Sequence, residues 1–428
     1  MIQSFFKKTI DALTKDKKML SNFYIQGLGQ FLGRFLFFVF LMVSARVLGA
    51  HEFGVFSFSL SICYLFHTVM NFGLDHLAIK WVARQEFEIF STIALTNLGT
   101  ILFGFFLIFI VSFFFDRHIF LILNILGIGF CFFSVNTIVF SYFRGLEKMK
   151  LEPFILVGQR LILLLTSFVF LSINKSATAI SISFSLSLFL AFLCIGVILY
   201  IKKINLIQNS EFAFMRQKIV SVLKEAFPLA LVTGLGIIYY RIDSVMIAGY
   251  RQISDVGIYT GAYMVIEGVM LLVRVIMIAS FSRLSQYGNM VDIKFYVLYK
   301  KLLILLIILS LILCSIMYGA GEFIFDLFLG KEYQSSVGVF YILLLSVIAL
   351  YPGTLATHAL IAIDKQKVYM YIALTCTITN ILLNFIFIPR FGIQGAAWAT
   401  VITDIILTVS CMAYLSLFFK KKVTPRCA

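Results

Sequence analysis

Long apolar runs separated by short charged breaks follow one another along the whole chain. A helix that crosses the hydrocarbon core of a bilayer needs about 20 predominantly apolar residues, and the sequence supplies twelve such runs. The chain is 61% hydrophobic and only 13% charged, which excludes a soluble globular protein. The predicted spans are 23–47, 53–77, 89–115, 119–141, 153–173, 177–201, 226–250, 257–281, 300–321, 337–362, 368–388 and 394–419.

Basic residues fall mainly on one side of the predicted membrane. With the N-terminus inside, the opposite side carries only Arg46, Arg117, Lys175, Arg251, Lys331 and Arg390. Because Lys and Arg concentrate in cytoplasmic loops, we predict that both termini are cytoplasmic, as an even number of spans requires. This distribution also accounts for the net charge of +15 without nucleic acid as a partner.

The second half of the chain repeats features of the first. A G-x-G segment precedes an intramembrane arginine twice, at 27–34 and at 234–241. The segments 52–56 and 255–259 each open the second span of their half, and residues 145–150 are echoed by 362–367. These echoes indicate that the two halves have the same architecture.

The predicted fold is an all-α integral membrane protein with twelve transmembrane helices in two six-helix bundles. The bundles comprise residues 1–205 and 226–428, joined by a cytoplasmic linker at 206–225. Since six is an even number, both halves enter the membrane from the same face. The pseudo-two-fold axis that relates them is therefore expected to run along the membrane normal.

Charged side chains inside the apolar runs are the strongest functional signal. Each would cost about 3 kcal/mol facing lipid, so all are expected to face an interior. They are Arg34, Arg160, Arg241, Asp243, Glu267, Arg274 and Asp404. Glu267 and Arg274 are seven residues apart and share a helix face, so their partners must come from other helices or from a substrate. Fixed salt bridges between helices are the alternative for each of these residues.

The three acids in this group, Asp243, Glu267 and Asp404, can titrate at membrane depth. A conformational change that separates an acid from an arginine would let a proton bind and leave. We therefore predict proton-coupled exchange through at least one of them. The four arginines leave a net cationic lining, which favours an anionic substrate.

Signals for an enzyme are absent from the sequence patterns. The five histidines form no H-x-x-x-H or H-E-x-x-H pattern, and there is neither a G-x-S-x-G elbow nor a phosphate-binding glycine loop with lysine. We expect a transporter without cofactor or metal, driven by a gradient or by disposal of the substrate.

Several segments together carry a family resemblance. They are 45–54, 71–74, 143–150 and 384–400. In these segments the chain resembles the Wzx-type polysaccharide flippases of the multidrug/oligosaccharidyl-lipid/polysaccharide exporter superfamily. The resemblance implies two bundles in a V shape, alternating access, and flipping of undecaprenyl-pyrophosphate-linked oligosaccharides to the outer leaflet of the bacterial inner membrane for O-antigen or capsule assembly. Membrane lipid, a polysaccharide polymerase and a chain-length regulator are the other partners implied.

On this interpretation, Arg34 and Arg241 receive the pyrophosphate of the lipid carrier from opposite bundles, because a guanidinium matches phosphate oxygens and stays charged when desolvated. Arg160 and Arg274 are further substrate-binding candidates. A multidrug or peptidoglycan-precursor exporter of the same superfamily is an alternative. A membrane-embedded polysaccharide polymerase is another, although such an enzyme is expected to carry a large external loop.

Overall fold

The computed structural model describes residues 17–148, 150–204, 206, 215–288 and 293–422. The predicted cytoplasmic termini, at 1–16 and 423–428, and residues 207–214 of the predicted linker lie outside this part of the chain. The helices are α1 (Lys17–Asn71), α2 (Leu74–Ala83), α3 (Phe87–Ser112), α4 (Arg117–Gly145), α5 (Leu151–Ile173), α6 (Ala177–Ile201), α7 (Met215–Tyr250), α8 (Ile253–Gly288), α9 (Ile293–Phe328), α10 (Gln334–Ala362), α11 (Gln366–Phe391) and α12 (Ile393–Lys422). A single 3₁₀ turn, Lys331–Tyr333, connects α9 to α10.

The described residues contain eleven helical segments long and apolar enough to cross a membrane, where the sequence predicts twelve spans. The difference arises in α1, which runs through the predicted first and second spans without an intervening loop. Its backbone leaves the helical conformation only at Gly49, with φ 73° and ψ 174°. Glycine reaches this left-handed φ without a steric penalty. We call the parts before and after Gly49 the first arm and the second arm.

Most other predicted spans coincide with helices to within a few residues, since their boundaries are set by charged breaks. The largest difference is at α7, which begins at Met215 rather than at residue 226, while α8 and α9 also extend beyond their predicted spans. Residues 215–225 of the predicted linker are therefore helical.

Helices α1 to α6 pack mainly on one another and are here called the N-terminal bundle. Helices α8 to α12 do likewise and, together with α7, which packs on both groups, are here called the C-terminal bundle. The most extensive packing in the fold nevertheless joins the groups, along α1 and α8. The second arm also packs against α7. The kinked helix α1 is thus the main contact between the N-terminal and C-terminal bundles.

At the end of the molecule that contains Gly49, here called the Gly49 end, the two bundles touch backbone to backbone. A Cβ atom on Gly54 would lie 2.1 Å from the carbonyl oxygen of Ile253, and one on Gly257 would lie 2.0 Å from that of Ala50. Gly54 follows Ala50 by four residues, as Gly257 follows Ile253. Reciprocal contacts of this kind are typical of an interface that lies on a two-fold axis.

The opposite end, here called the Gly73 end, also brings the bundles together. Gly73 lies against α7, where an added Cβ would be 2.7 Å from the amide nitrogen of Ala230. Lys80 on α2 forms a 2.7 Å ion pair with Glu225 on α7. The short helix α2 therefore connects the N-terminal bundle to the start of the C-terminal bundle.

The sequence echo between 145–150 and 362–367 has a structural counterpart. Glu147 and Asp364 both adopt left-handed backbone, with φ 58° and 57°. In each segment the next residue closes the preceding helix, since the amide of Lys148 donates to Phe143 (2.9 Å) and that of Lys365 donates to Leu360 (2.8 Å). Both α4 and α10 thus end in the same helix-terminating motif.

The two G-x-G segments, by contrast, differ in their surroundings. A Cβ on Gly29 would lie 2.2 Å from Cβ of Pro153, so this glycine lets the first arm pack closely against α5. Its counterpart Gly236 has no atom within 4 Å of an added Cβ. The repeated glycine is a packing residue in the first half and borders open space in the second.

Candidate functional site

The four arginines predicted to bind substrate come together from four helices. Arg34 on the first arm interacts electrostatically with Arg274 on α8, and Arg160 on α5 interacts with Arg34. The guanidinium of Arg241 on α7 lies 4.6 Å from the ring centroid of Tyr64, a residue that also interacts with Arg34 and Arg160. We call these four residues the arginine cluster.

Aromatic rings, rather than carboxylates, accompany two of these guanidiniums. Arg160 lies 4.3 Å from the ring centroid of Phe37, and Arg241 lies over Tyr64 from the other bundle. A cation over an aromatic face is stabilised by about 0.5–2 kcal/mol. The Nε and Nη1 atoms of Arg160 are buried without a hydrogen-bond partner. These donors are thus free to bind an acceptor that the protein does not itself provide.

None of the ion pairs in the described part of the chain involves a member of the arginine cluster. Glu267 is the acid that interacts electrostatically with Arg34. At least Arg34, Arg160 and Arg274 therefore place their positive charges near one another. Such a concentration of positive charge at membrane depth is costly without water or an anion to solvate it. Fixed salt bridges are not the arrangement that the structure gives these arginines.

The acid Asp243 lies elsewhere, inside the C-terminal bundle, and is 4% exposed. Its Oδ2 accepts hydrogen bonds of 2.7 Å from the hydroxyls of Tyr259 and Thr400, and its Oδ1 accepts one of 2.7 Å from the amide of Asn384. Three helices, α8, α12 and α11, thus provide the donors for one carboxylate on α7. A buried charge is tolerated when hydrogen bonds replace its water in this way.

The acid Asp404 belongs to the same hydrogen-bonded network. Its Oδ1 accepts a 2.5 Å hydrogen bond from the hydroxyl of Tyr239, which lies 3.1 Å from Oγ1 of Thr403. Asn380 donates to Thr403 (3.4 Å) and accepts from Asn384 (3.0 Å), the residue that binds Asp243. A continuous path of side-chain hydrogen bonds therefore links the two acids.

The three predicted proton-coupling acids thus lie in two different parts of the structure. Glu267 lies beside the arginine cluster, whereas Asp243 and Asp404 are bound by hydroxyl and amide groups of their own bundle. In the described part of the chain, neither buried aspartate forms an ion pair with an arginine. Asn384 makes the interhelical hydrogen bond that its apolar context suggests, while the hydroxyl donors carry no comparable signal in the sequence.

A further charged group was missed because it opens a span rather than interrupting one. Glu152 on α5 is 3% exposed. It accepts a 2.7 Å hydrogen bond from Nε of Arg144, which also binds it through Nη2. Gln26 and Gln30 on the first arm donate to the same carboxylate at 2.9 and 3.0 Å. This group is a fixed ion pair that attaches the first arm to α5.

Comparison with known proteins identifies two family models. The polysaccharide biosynthesis protein model matches residues 19–288, and the MatE model matches residues 228–386. Both describe transporter families rather than enzyme families. Together they cover parts of both bundles.

Relatives and solved structures agree with these matches. An uncharacterized membrane protein of Methanocaldococcus jannaschii is 24% identical over 405 residues, which cover 90% of this chain and 93% of the relative. The capsular polysaccharide biosynthesis protein CapF of Staphylococcus aureus is 20% identical over 399 residues, covering 92% and 98%. The structure of the lipid II flippase MurJ in an inward closed conformation superimposes with a TM-score of 0.75 at 18% identity, covering 92% and 87%. The chain therefore has a MurJ-like fold.

Proposed function

Because the chain belongs to the polysaccharide biosynthesis protein family, a family of multi-pass membrane transporters, we propose that it flips undecaprenyl-pyrophosphate-linked oligosaccharides across the membrane. The pyrophosphate headgroup is strongly anionic and must pass about 30 Å of hydrocarbon. Polysaccharide biosynthesis is named by the family model and by the CapF relative, and the lipid II flippase has the same fold.

The arginine cluster is the observation that carries this proposal. Arg34 and Arg160 belong to the N-terminal bundle, and Arg241 and Arg274 belong to the C-terminal bundle. A pyrophosphate has enough oxygens to bind guanidiniums from both sides bidentately. An anion held this way between two bundles would move from one face of the membrane to the other when the bundles rock.

In this proposal, alternating access takes place between two related bundles. The kink at Gly49 supports this arrangement, because a helix of 55 residues would be about 80 Å long if straight, more than twice the hydrocarbon thickness. Each arm is long enough to cross on its own. The reciprocal contacts of Gly54 and Gly257 support a pseudo-two-fold axis along the membrane normal.

The orientation follows from the predicted loops. Those at the Gly49 end carry few basic residues and those at the Gly73 end carry many, which supports an external Gly49 end and cytoplasmic termini. In a bacterial inner membrane, substrate would then enter from the cytoplasm. Reporter fusions at residue 118 and at residue 365 are expected to lie outside and inside, respectively.

Flipping of a fluorescent undecaprenyl-pyrophosphate lipid in proteoliposomes tests the proposal. We expect Arg34→Ala and Arg241→Ala to reduce flipping to the protein-free rate, because each removes one side of the anion site. Arg117→Ala is the matched control, since Arg117 is an exposed arginine outside the cluster. Flipping at the wild-type rate by both cluster variants, inserted at wild-type levels, would show that these arginines are structural.

The MatE match to residues 228–386 favours a multidrug exporter as the second candidate. Most cationic drugs would be repelled by the arginine cluster, so this candidate predicts transport of anionic or neutral compounds. Efflux of an anionic fluorescent compound by the wild-type protein, lost in Asp243→Asn, would favour drug export over flipping.

A further inference from the structure

One face of α7 is buried near the C-terminal end of the helix but exposed nearer its start. Asp243 and Ile247 lie on the side that packs into the C-terminal bundle and are 4% and 0% exposed. Toward the Gly73 end the same side carries Val232, Gly236 and Tyr240, at successive four-residue intervals. There, Tyr240 is 52% exposed and an added Cβ on Gly236 would meet no atom within 4 Å. The helix therefore borders an opening on this side, which we call the Tyr240 opening.

This opening lies inside the transporter rather than against lipid. Tyr240 interacts electrostatically with Arg274 and Glu267 on α8, with Asp404 on α12 and with Tyr369 on α11. Charged groups on two helices would not converge on a lipid-facing ring, because their exposure to hydrocarbon is too costly. Arg274 and Glu267 also interact with Arg34, so the opening adjoins the arginine cluster.

The two sides of the arginine cluster differ in chemistry. On the N-terminal side, Phe37, Phe40 and Phe184 pack ring against ring, and no carboxylate of that bundle interacts with Arg34 or Arg160. On the C-terminal side stand a half-exposed tyrosine ring, a carboxylate and unfilled space. On this second side, an open aromatic face and an acceptor for hydroxyl groups occur together.

These are the features that bind a sugar. The C–H face of a sugar ring packs on an aromatic ring, and its hydroxyls donate hydrogen bonds to a carboxylate. In a sugar diphosphate the first ring is bonded directly to a phosphate, so it must lie beside the groups that bind that phosphate. Tyr240 precedes Arg241 in the chain and interacts with Arg274, which places its ring next to the phosphate-binding side chains.

We propose that Tyr240 and Glu267, with the open space at Gly236, form a carbohydrate subsite that receives the first sugar of a lipid-linked sugar diphosphate. This inference rests on the proposed binding of pyrophosphate by the arginine cluster. It gives Glu267 a role in sugar recognition, apart from the buried acids Asp243 and Asp404. It also explains why the second G-x-G segment keeps a glycine that packing does not require.

Competition between two lipids, followed by native mass spectrometry of the purified protein, separates this subsite from the anion site. The probes are undecaprenyl pyrophosphate and undecaprenyl-pyrophosphate-linked N-acetylglucosamine. We expect the wild-type protein to prefer the sugar-bearing lipid. Tyr240→Ala and Glu267→Gln should each reduce that preference, measured as the ratio of the affinities for the two lipids, about tenfold. Tyr240→Phe keeps the ring and should keep most of the preference.

Gly236→Leu provides an independent variant, because its Cβ would meet no atom within 4 Å and its side chain would extend into the opening. It should abolish the preference for the sugar-bearing lipid, whereas Gly319→Leu, at another glycine of the C-terminal bundle with open space around it, should not. Equal binding of both lipids by the wild-type protein overturns the subsite, as does an equal loss for both lipids in Tyr240→Ala and Gly236→Leu. Failure of the wild-type protein to bind either lipid would instead overturn the proposed function.

Discussion

The carboxylate of Glu332 accepts a hydrogen bond of 3.1 Å from the backbone amide of Ala50, although these residues are 282 positions apart and belong to different bundles. Ala50 begins the second arm, whose first amides have no partner within the helix. A side chain at the preceding position normally caps such an end, but Gly49 has none. The C-terminal bundle therefore provides the cap that the kinked helix lacks.

Neighbouring contacts complete this junction. The hydroxyl of Tyr333 donates to the carbonyl oxygen of Ala45 (3.0 Å), near the end of the first arm, and Arg46 donates to the carbonyl oxygen of Leu327, near the end of α9. Three helix ends are thus capped across the interface between the bundles. These contacts stabilise the closed arrangement of the Gly49 end.

We predict that Glu332→Ala lowers the stability of this arrangement by about 1 kcal/mol, the usual contribution of an N-cap. Distances between spin labels at two exposed positions of opposite bundles, Lys175 in the loop after α5 and Arg390 in the last turn of α11, should then shift toward longer values. Glu332→Gln keeps an acceptor oxygen and should behave almost as wild type. Lys331→Ala, in the same 3₁₀ turn, is the control. Unchanged distances in Glu332→Ala would show that the cap does not hold the bundles together.

For the arginine cluster, we predict that lysine and alanine variants distinguish the contribution of charge to flipping from that of guanidinium geometry. Arg34→Lys and Arg241→Lys keep the charge but lose the planar fork, and should retain partial flipping, whereas the alanine variants should retain none. Flipping rates of the four variants at matched expression give the comparison. Lysine variants as inactive as alanine variants would mean that bidentate geometry, rather than charge, is essential.

The repeated glycines provide a prediction about packing. Gly29→Ala should destabilise the protein by about 1–3 kcal/mol, because its Cβ would overlap Pro153. The equivalent substitution Gly236→Ala should be neutral or stabilising by up to about 1 kcal/mol, since alanine favours the helix and meets no atom there. Thermal unfolding followed by the fluorescence of Trp81 and Trp398 distinguishes the two. A melting temperature lowered equally in both variants would contradict the structure.

Breaking the buried ion pair between Glu152 and Arg144 is expected to lower stability more than the glycine substitutions do. Glu152→Ala leaves Arg144 without its carboxylate, and Gln26 and Gln30 without their acceptor, so we expect a loss of about 3–5 kcal/mol. The matched control is Glu86→Ala, which removes an exposed carboxylate. The same unfolding measurement applies, and a melting temperature equal to that of the control would show that the pair adds nothing to stability.

Proton coupling is tested through the three acids. We predict that at least one of Asp243→Asn, Glu267→Gln and Asp404→Asn abolishes the response of flipping to an imposed pH gradient. Because a hydrogen-bonded path links Asp243 to Asp404, substitution of either should give a similar defect, and the double variant should be no worse than the single ones. Full flipping with unchanged pH dependence in all three single variants would exclude proton transfer through these residues.

Much of the site could be anticipated because charges in apolar runs are costly wherever the helices lie. That cost identified Arg34, Arg160, Arg241 and Arg274 as interior residues without knowledge of their neighbours. It could not show that they form one cluster, because helix contacts join residues far apart in the chain. Nor could it show that Glu267 lies beside the arginines whereas Asp243 and Asp404 are hydrogen-bonded within the C-terminal bundle. The donors that surround a carboxylate come from other helices.

By itself, the sequence determined where most of the apolar segments lie, how long they are, and that the chain is a multi-pass membrane protein. These properties follow from local composition, because each segment must meet the thickness of a bilayer on its own. Only the tertiary structure decided that the first two spans form one helix bent at Gly49, that the repeated glycines differ in role, and that the arginines converge while two acids are enclosed elsewhere. Each of these depends on which side chain of a distant helix fills a given space, and that is fixed by packing between helices.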